Sequence, residues 1–184
     1  MDVDDDQKIR ISGMWDTLKR YDNYIGTVNF RSGLITSFSA AVFGGILLKA
    51  DQIIQSSSGL KIPIAMILLI IGLLSILSIY WVIRSIWPNL NTNKENKNKH
   101  SLFFFGSVAK NFSQESYARS IKEVTLDDFE KDLAIQVHEV AEITLEKFSI
   151  ISKAATFVKW TLLFLLILLI LLIIDSSGVH LCVV

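Results

Sequence analysis

Three blocks without a charged residue dominate the hydropathy pattern of this chain. The first, residues 32–48, has 17 positions and covers about 26 Å as a helix, slightly short of a hydrocarbon core. It is long enough if the helix starts near Tyr24 and Arg31 snorkels toward the headgroups. The second, residues 62–83, has 22 positions and is a full span; Pro63 falls in its first turn, where a missing N–H costs little. The third, "WTLLFLLILLILLII" from Trp160, crosses once "AATFVK" before it is included.

Between the second and third blocks the pattern changes twice. "NLNTNKENKNKH" is uniformly polar and reads as a solvated linker. From Leu126 to Trp160 there is no Gly or Pro, and Phe129, Leu133, Val137, Val140, Thr144, Phe148 and Ile151 trace one mostly apolar helical face. Thr125 with Asp128 makes a capped start, and Asp127, Asp128 and Glu130 suit the positive end of a helix dipole. Nothing stops this helix before the third block, so one long helix enters the membrane as the third span. The chain is expected to be an all-α membrane protein with three transmembrane helices and a small helical cytoplasmic domain. The expected order is a cytoplasmic segment (1–23), first span (24–48), external loop (49–61), second span (62–83), cytoplasmic domain (84–159), third span (157–175) and external tail (176–184).

Charge sets the orientation. Lys and Arg number 5 in residues 1–31, 2 in 49–61, 11 in 84–159 and none after Asp175. The positive-inside rule then puts the N-terminus and the middle segment in the cytoplasm and the C-terminus outside. The net charge of zero argues against a nucleic-acid binder with a strong global field. The acidic start "MDVDDDQKIRISG" does not read as a cleavable signal. Cys182 is the single cysteine, so neither a disulfide framework nor a cysteine zinc site is expected.

Within the first span Gly33, Ser37, Ala41 and Gly45 recur every four residues, a stripe that lets helix backbones approach closely in lipid. It serves either packing within one subunit or contact between subunits. The second span carries a weaker set, Gly72, Ser75 and Ser78, and the third has no small residue between Leu162 and Ile174. The first span is therefore expected inside a bundle and the third against lipid. No span has an ionisable residue at its centre, which speaks against a proton relay.

Catalytic patterns are weak. "HEVAE" at His138 has Glu142 where a zinc helix needs its second histidine, and no P-loop, GxGxxG or GxSxG occurs. No enzyme, metal site or resident cofactor is expected. Two features remain. The cluster "SLFFFG" supplies Phe103, Phe104 and Phe105, continued by Val108, Phe112 and Tyr117, either as a second layer over the long helix or as the aromatic wall of a pocket. Gly106 there allows a tight turn or a close backbone approach. Gln136 and Lys147, 11 residues apart, share one helix face, either solvated or touching an anionic ligand or a neighbouring subunit.

From about Tyr21 to Lys159 these features together resemble the transmembrane effectors of Pycsar anti-phage defence. "VNFRSG" stands at the entry to the first span, with Asn29 and Arg31 where the family pattern has an acid and a lysine. Pro88–Asn89 follows the second span in place of Pro-Arg. "LFFFGSVA" and Tyr117 match the aromatic stretch and the tyrosine after it, and "DLAIQV" with "LEK" matches the helix carrying Gln136 and Lys147. The resemblance implies a nucleotide-gated effector of the bacterial inner membrane that oligomerises and disrupts membrane integrity. Its ligand would be a cyclic mononucleotide, another nucleotide or an oligonucleotide, made by a partner nucleotidyl cyclase or nucleotidyltransferase. Residues 84–159 would sense it, with Gln136, Lys147, Phe104, Phe105, Gly106 and Tyr117 as candidate ligand or gating residues. The stripe Gly33, Ser37, Ala41 and Gly45 would mediate assembly. The competing readings are a membrane tether or accessory subunit and a ligand-independent, holin-like toxin.

Overall fold

The computed structural model describes residues 3–57, 59–87 and 100–177, and all regular structure among them is helical. Most of the polar linker, Pro88, Asn89, His180 and Cys182 lie outside the described residues. The five helices are α1 (Val3–Ser56), α2 (Lys61–Ile86), α3 (Phe105–Asn111), α4 (Gln114–Glu123) and α5 (Leu126–Ser176). Three of them, α1, α2 and α5, are long and apolar enough to cross a membrane. The protein is an all-helical membrane protein.

The expected continuity of the third span with a long helix holds: α5 runs unbroken for 51 residues. The Thr125 hydroxyl accepts the Asp128 N–H at 3.2 Å and donates to its carboxylate at 3.0 Å, so the helix starts at the anticipated cap. α1 is equally continuous over 54 residues, far beyond the roughly 20 that a span needs. Residues 3–23 and 49–56 are therefore helical too, so most of the expected external loop belongs to α1, which ends at Ser56. α2 then starts at Lys61, and Pro63 sits within its first turn as expected.

The chain forms two units, Met1–Thr27 with Pro88–Glu146, and Val28–Trp87 with Lys147–Val184. In the second unit the apolar helices pack along seams of heptad period. On α2 the buried positions are Ile64, Leu68, Ile71, Ser75, Ser78, Val82 and Ser85, spaced alternately four and three, with Gly72 beside them. α1 turns Val28, Ser32, Ile35, Ser39, Val42 and Ile46 inward at the same spacing. α5 adds Ile151, Ala154, Thr161 and Leu168. Two apolar clusters hold the seam: Val28, Val82, Ile151 and Ala154, and Ile64, Leu68, Ile71 and Leu168.

The first span is not the innermost one, contrary to expectation. Only 6% of its apolar window is buried, against 33% for α2 and 11% for α5. The reason is the small residues of α2, which let both neighbours close upon it. Gly72 leaves its Cβ position 3.9 Å from the Phe43 ring of α1, and the Ser78 hydroxyl donates to the Ala154 carbonyl of α5 at 3.2 Å. Gly33, Ser37, Ala41 and Gly45 all face outward from this unit, and a Cβ at Gly33 or Gly45 would meet nothing within 4 Å.

In the first unit Leu102, Leu133, Gln7, Gln136 and Thr144 are the buried residues among those described. α1 contributes its N-terminal part through the half-buried Ile11, Met14, Leu18, Tyr21 and Ile25, which continue the heptad spacing from Gln7.

Candidate ligand groove and membrane seam

The aromatic cluster is an anchored turn. The Ser101 hydroxyl accepts the N–H groups of Phe103 and Phe104, both at 3.1 Å, which closes the turn locally. The Asp132 carboxylate of α5 accepts the Leu102 N–H at 2.7 Å and the Ser101 hydroxyl at 3.2 Å. The Tyr117 hydroxyl of α4 donates to the Leu102 carbonyl at 3.0 Å. The segment after the polar linker is thus tied to α4 and α5 by directional bonds. Phe103 stands edge-on to Trp15 of α1 and Phe129 of α5, with ring centroids 5.5 and 4.7 Å away.

The three phenylalanines have different roles. Phe103 is the packing ring. Phe104 lies over Gly106, where an added Cβ would come within 2.6 Å of the ring. Gly106 sits inside α3, so its use is close approach and not a left-handed turn. Phe105 is 70% exposed, with its ring tilted against Phe104 at 5.0 Å between centroids. Of the expected ligand residues, Tyr117 is a structural tie.

Gln136 and Lys147 fall in different units. Gln136 is buried one turn from Leu133, and its amide donates to Glu139 at 3.2 Å. Lys147 is half-buried, and its ammonium donates to the Ser85 carbonyl of α2 at 2.7 Å. Neither side chain lies on a freely solvated face. Lys147 and the nearby Lys153 both reach the end of α2, the latter 4.9 Å over the Trp81 ring. His138 is exposed beside Glu142, and no metal-ligating cluster forms among the described residues.

A groove that sequence reasoning missed lies in the first unit. Lys8, Ile11, Ser12, Trp15, Asp16 and Lys19 of α1 and Leu126 and Phe129 of α5 line an open space of about 580 Å³. That size falls in the range of small-molecule sites. Trp15 keeps part of its ring accessible, and Lys8 and Lys19 stand two turns and one turn from it on the same side. Lys19 holds Asp16 at 3.0 Å. The available signal was the Lys8, Ser12, Trp15, Lys19 spacing of four, three and four within a segment that looked merely polar.

The ends of α1 and α5 in this unit are locked by charge. The Arg10 guanidinium donates to both Glu130 oxygens at 2.6 and 3.3 Å, and Gln7 donates to Glu130 at 2.9 Å and Asp127 at 2.7 Å. Both groups lie outside the apolar blocks. The hydrogen bonds from Arg10, and then from Gln7, hold the Glu130 carboxyl below the usual range, while Glu130 raises Arg10 further.

The seam of the second unit is polar in an unexpected way. Ser32, Ser39, Ser75, Ser78, Ser85 and Thr161 are all essentially inaccessible. Thr161 donates to its own helix at the Phe157 carbonyl, 3.0 Å away. Among the described residues the hydroxyls of Ser32, Ser39 and Ser75 have no hydrogen-bond partner. Each such buried group costs about 1–3 kcal/mol.

Searches of curated proteins and of solved structures found no match. Comparison with protein families matches residues 13–174 to PycTM, the Pycsar effector protein domain. That match takes in the groove residues from Trp15 onward, the anchored aromatic turn and all three apolar helices. This chain therefore belongs to the Pycsar effector family, the cyclic-nucleotide-signalled effectors of anti-phage defence.

Proposed function

We propose that the protein permeabilises the bacterial inner membrane as an assembly of several copies, on a nucleotide signal received by the unit of residues 1–27 and 88–146. The observation that carries this reading is the continuity of α1 and α5. Each helix bears residues of the groove at one end and a membrane span further along, with no break in the helix. A ligand that favours one arrangement of these helices would bias the spans through the backbone itself, to the extent of its differential affinity for the two arrangements.

The chemistry of the groove supports a nucleotide. A base can stack on Trp15, a contact worth about 1–3 kcal/mol, while Lys8 or Lys19 meets a phosphate. A pore would require several copies, because three packed helices enclose no lumen. The outward stripe of Gly33, Ser37, Ala41 and Gly45 is available to a second copy. The N-terminus is assigned to the cytoplasm by the Lys and Arg bias.

Vesicle leakage tests the reading. The purified full chain in phosphatidylethanolamine–phosphatidylglycerol vesicles should release an entrapped dye when one of 3′,5′-cyclic AMP, GMP, CMP or UMP is added, and not before. Leakage regardless of nucleotide would favour a holin-like toxin. No leakage with any of them would favour a tether.

A further inference from the structure

We infer that the buried hydroxyls Ser32, Ser39, Ser75, Ser78, Ser85 and Thr161 line the water and ion path of the open effector, folded inward in this closed arrangement. The inference rests on the permeabilising function proposed above and adds which helix faces form the path. Three observations lead to it.

On α2 and in the apolar stretch of α5 the hydroxyls are segregated. Every serine of α2 is buried, while its exposed positions include Ile62, Met66, Leu69, Leu73 and Ile83. Thr161, the single hydroxyl residue of α5 between Trp160 and Ile174, is buried too. Secondly, the polarity exceeds what packing needs. Close helix contact requires a small side chain, which Gly or Ala supplies without a hydroxyl. Thr161 shows that a carbonyl on the same helix is available as an acceptor, yet Ser32, Ser39 and Ser75 stay unpaired at 0% exposure. Such hydroxyls disfavour the closed seam and are relieved when water reaches them. Thirdly, they recur at heptad spacing, Ser32 to Ser39 and Ser78 to Ser85, so α1 and α2 each place hydroxyls at repeating positions of the seam, between apolar side chains such as Ile35 and Val82. Neutral hydroxyl dipoles can replace part of an ion's hydration without a charged ring, so the path should discriminate weakly between small cations and anions.

The outward stripe of α1 is a different face, and the two make opposite predictions. In the vesicle assay, with Cys182→Ala as background, Ser39→Cys and Ser75→Cys should be modified by a water-soluble methanethiosulfonate reagent only in the presence of the activating nucleotide. Modification should then block leakage. Leu69→Cys, on the lipid-facing side of α2, should stay unmodified with or without nucleotide. Ser75→Ala should raise the thermal midpoint of the resting protein and lower leakage about tenfold, because it removes an unpaired hydroxyl from the closed state alone. Leakage that survives reagent at Ser39→Cys and Ser75→Cys but is blocked at Ala41→Cys would overturn the inference and leave permeabilisation standing. So would a Ser75→Ala protein that leaks like the parent. Absence of leakage with all four nucleotides would remove the permeabilising function and this inference together.

Discussion

The unit of residues 1–27 and 88–146 and the unit of residues 28–87 and 147–184 use stretches of the same two long helices but hold them by opposite chemistry. The first relies on directional partners: the Arg10–Glu130 pair, the Asp132 and Tyr117 ties to the 101–104 turn, and Phe103 edge-on to two rings. The second relies mainly on two apolar clusters and close helix contact along a heptad seam, with few directional bonds, such as those to the Ala154 and Ser85 carbonyls, and with three seam hydroxyls unpaired. Directional contacts specify one arrangement, because a small displacement breaks them. A seam of small residues has less to lose when helices shift. The difference agrees with the proposal made above, in which the first unit recognises the nucleotide and the second rearranges.

Deep truncation in the first unit should have the largest effect. Leu133 is fully buried on α5, and Leu133→Ala should cost about 2–5 kcal/mol, read as a lower thermal midpoint in detergent. Gly106→Ala should cost about 1–3 kcal/mol by forcing the Phe104 ring aside. Phe104→Ala is expected to be milder alone, since the ring is half-buried, and to relieve most of the Gly106→Ala penalty in the double variant. Asp132→Asn weakens the acceptor of the Leu102 N–H and should cost about 1–2 kcal/mol. Gly72→Ala, by contrast, should be close to neutral, because the new methyl meets the Phe43 ring at an ordinary contact distance.

The smallest effect concerns pH. Glu130 is held below its ordinary pKa when folded. Its contribution is therefore complete above the unfolded carboxylate range and is lost as pH falls through the lowered folded value. The pair is exposed, so the slope should be shallow, and Glu130→Gln should flatten the acidic limb of midpoint against pH.

The spans and the α5 helix were legible because hydropathy and the absence of Gly and Pro from Leu126 to Trp160 are local properties. The length of α1 was hidden by Gly13, Gly26, Gly33, Gly44 and Gly45 and by a polar N-terminus, although Gln7, Ile11, Met14, Leu18, Tyr21, Ile25 and Val28 keep heptad spacing. The choice of packing face was not legible. Ser32 and Ser39 lie next to Gly33 and Ala40 in the chain, and two sets of small residues on one helix look alike until a neighbour selects one. Likewise Gln136 could be placed on a helix face, but its burial depends on what packs there. The aromatic turn was legible as material for a second layer, whereas its ties to Asp132 and Tyr117 join residues 30 and 15 positions apart.

Deuterium exchange on the full chain in lipid nanodiscs, with and without each of the four cyclic nucleotides, tests the division of roles most directly. The account predicts that one nucleotide slows exchange at residues 8–19 and 126–133 and, in the same sample, speeds it at residues 32–39 and 75–85. A nucleotide that protects the groove while the seam segments keep their resting exchange would contradict it.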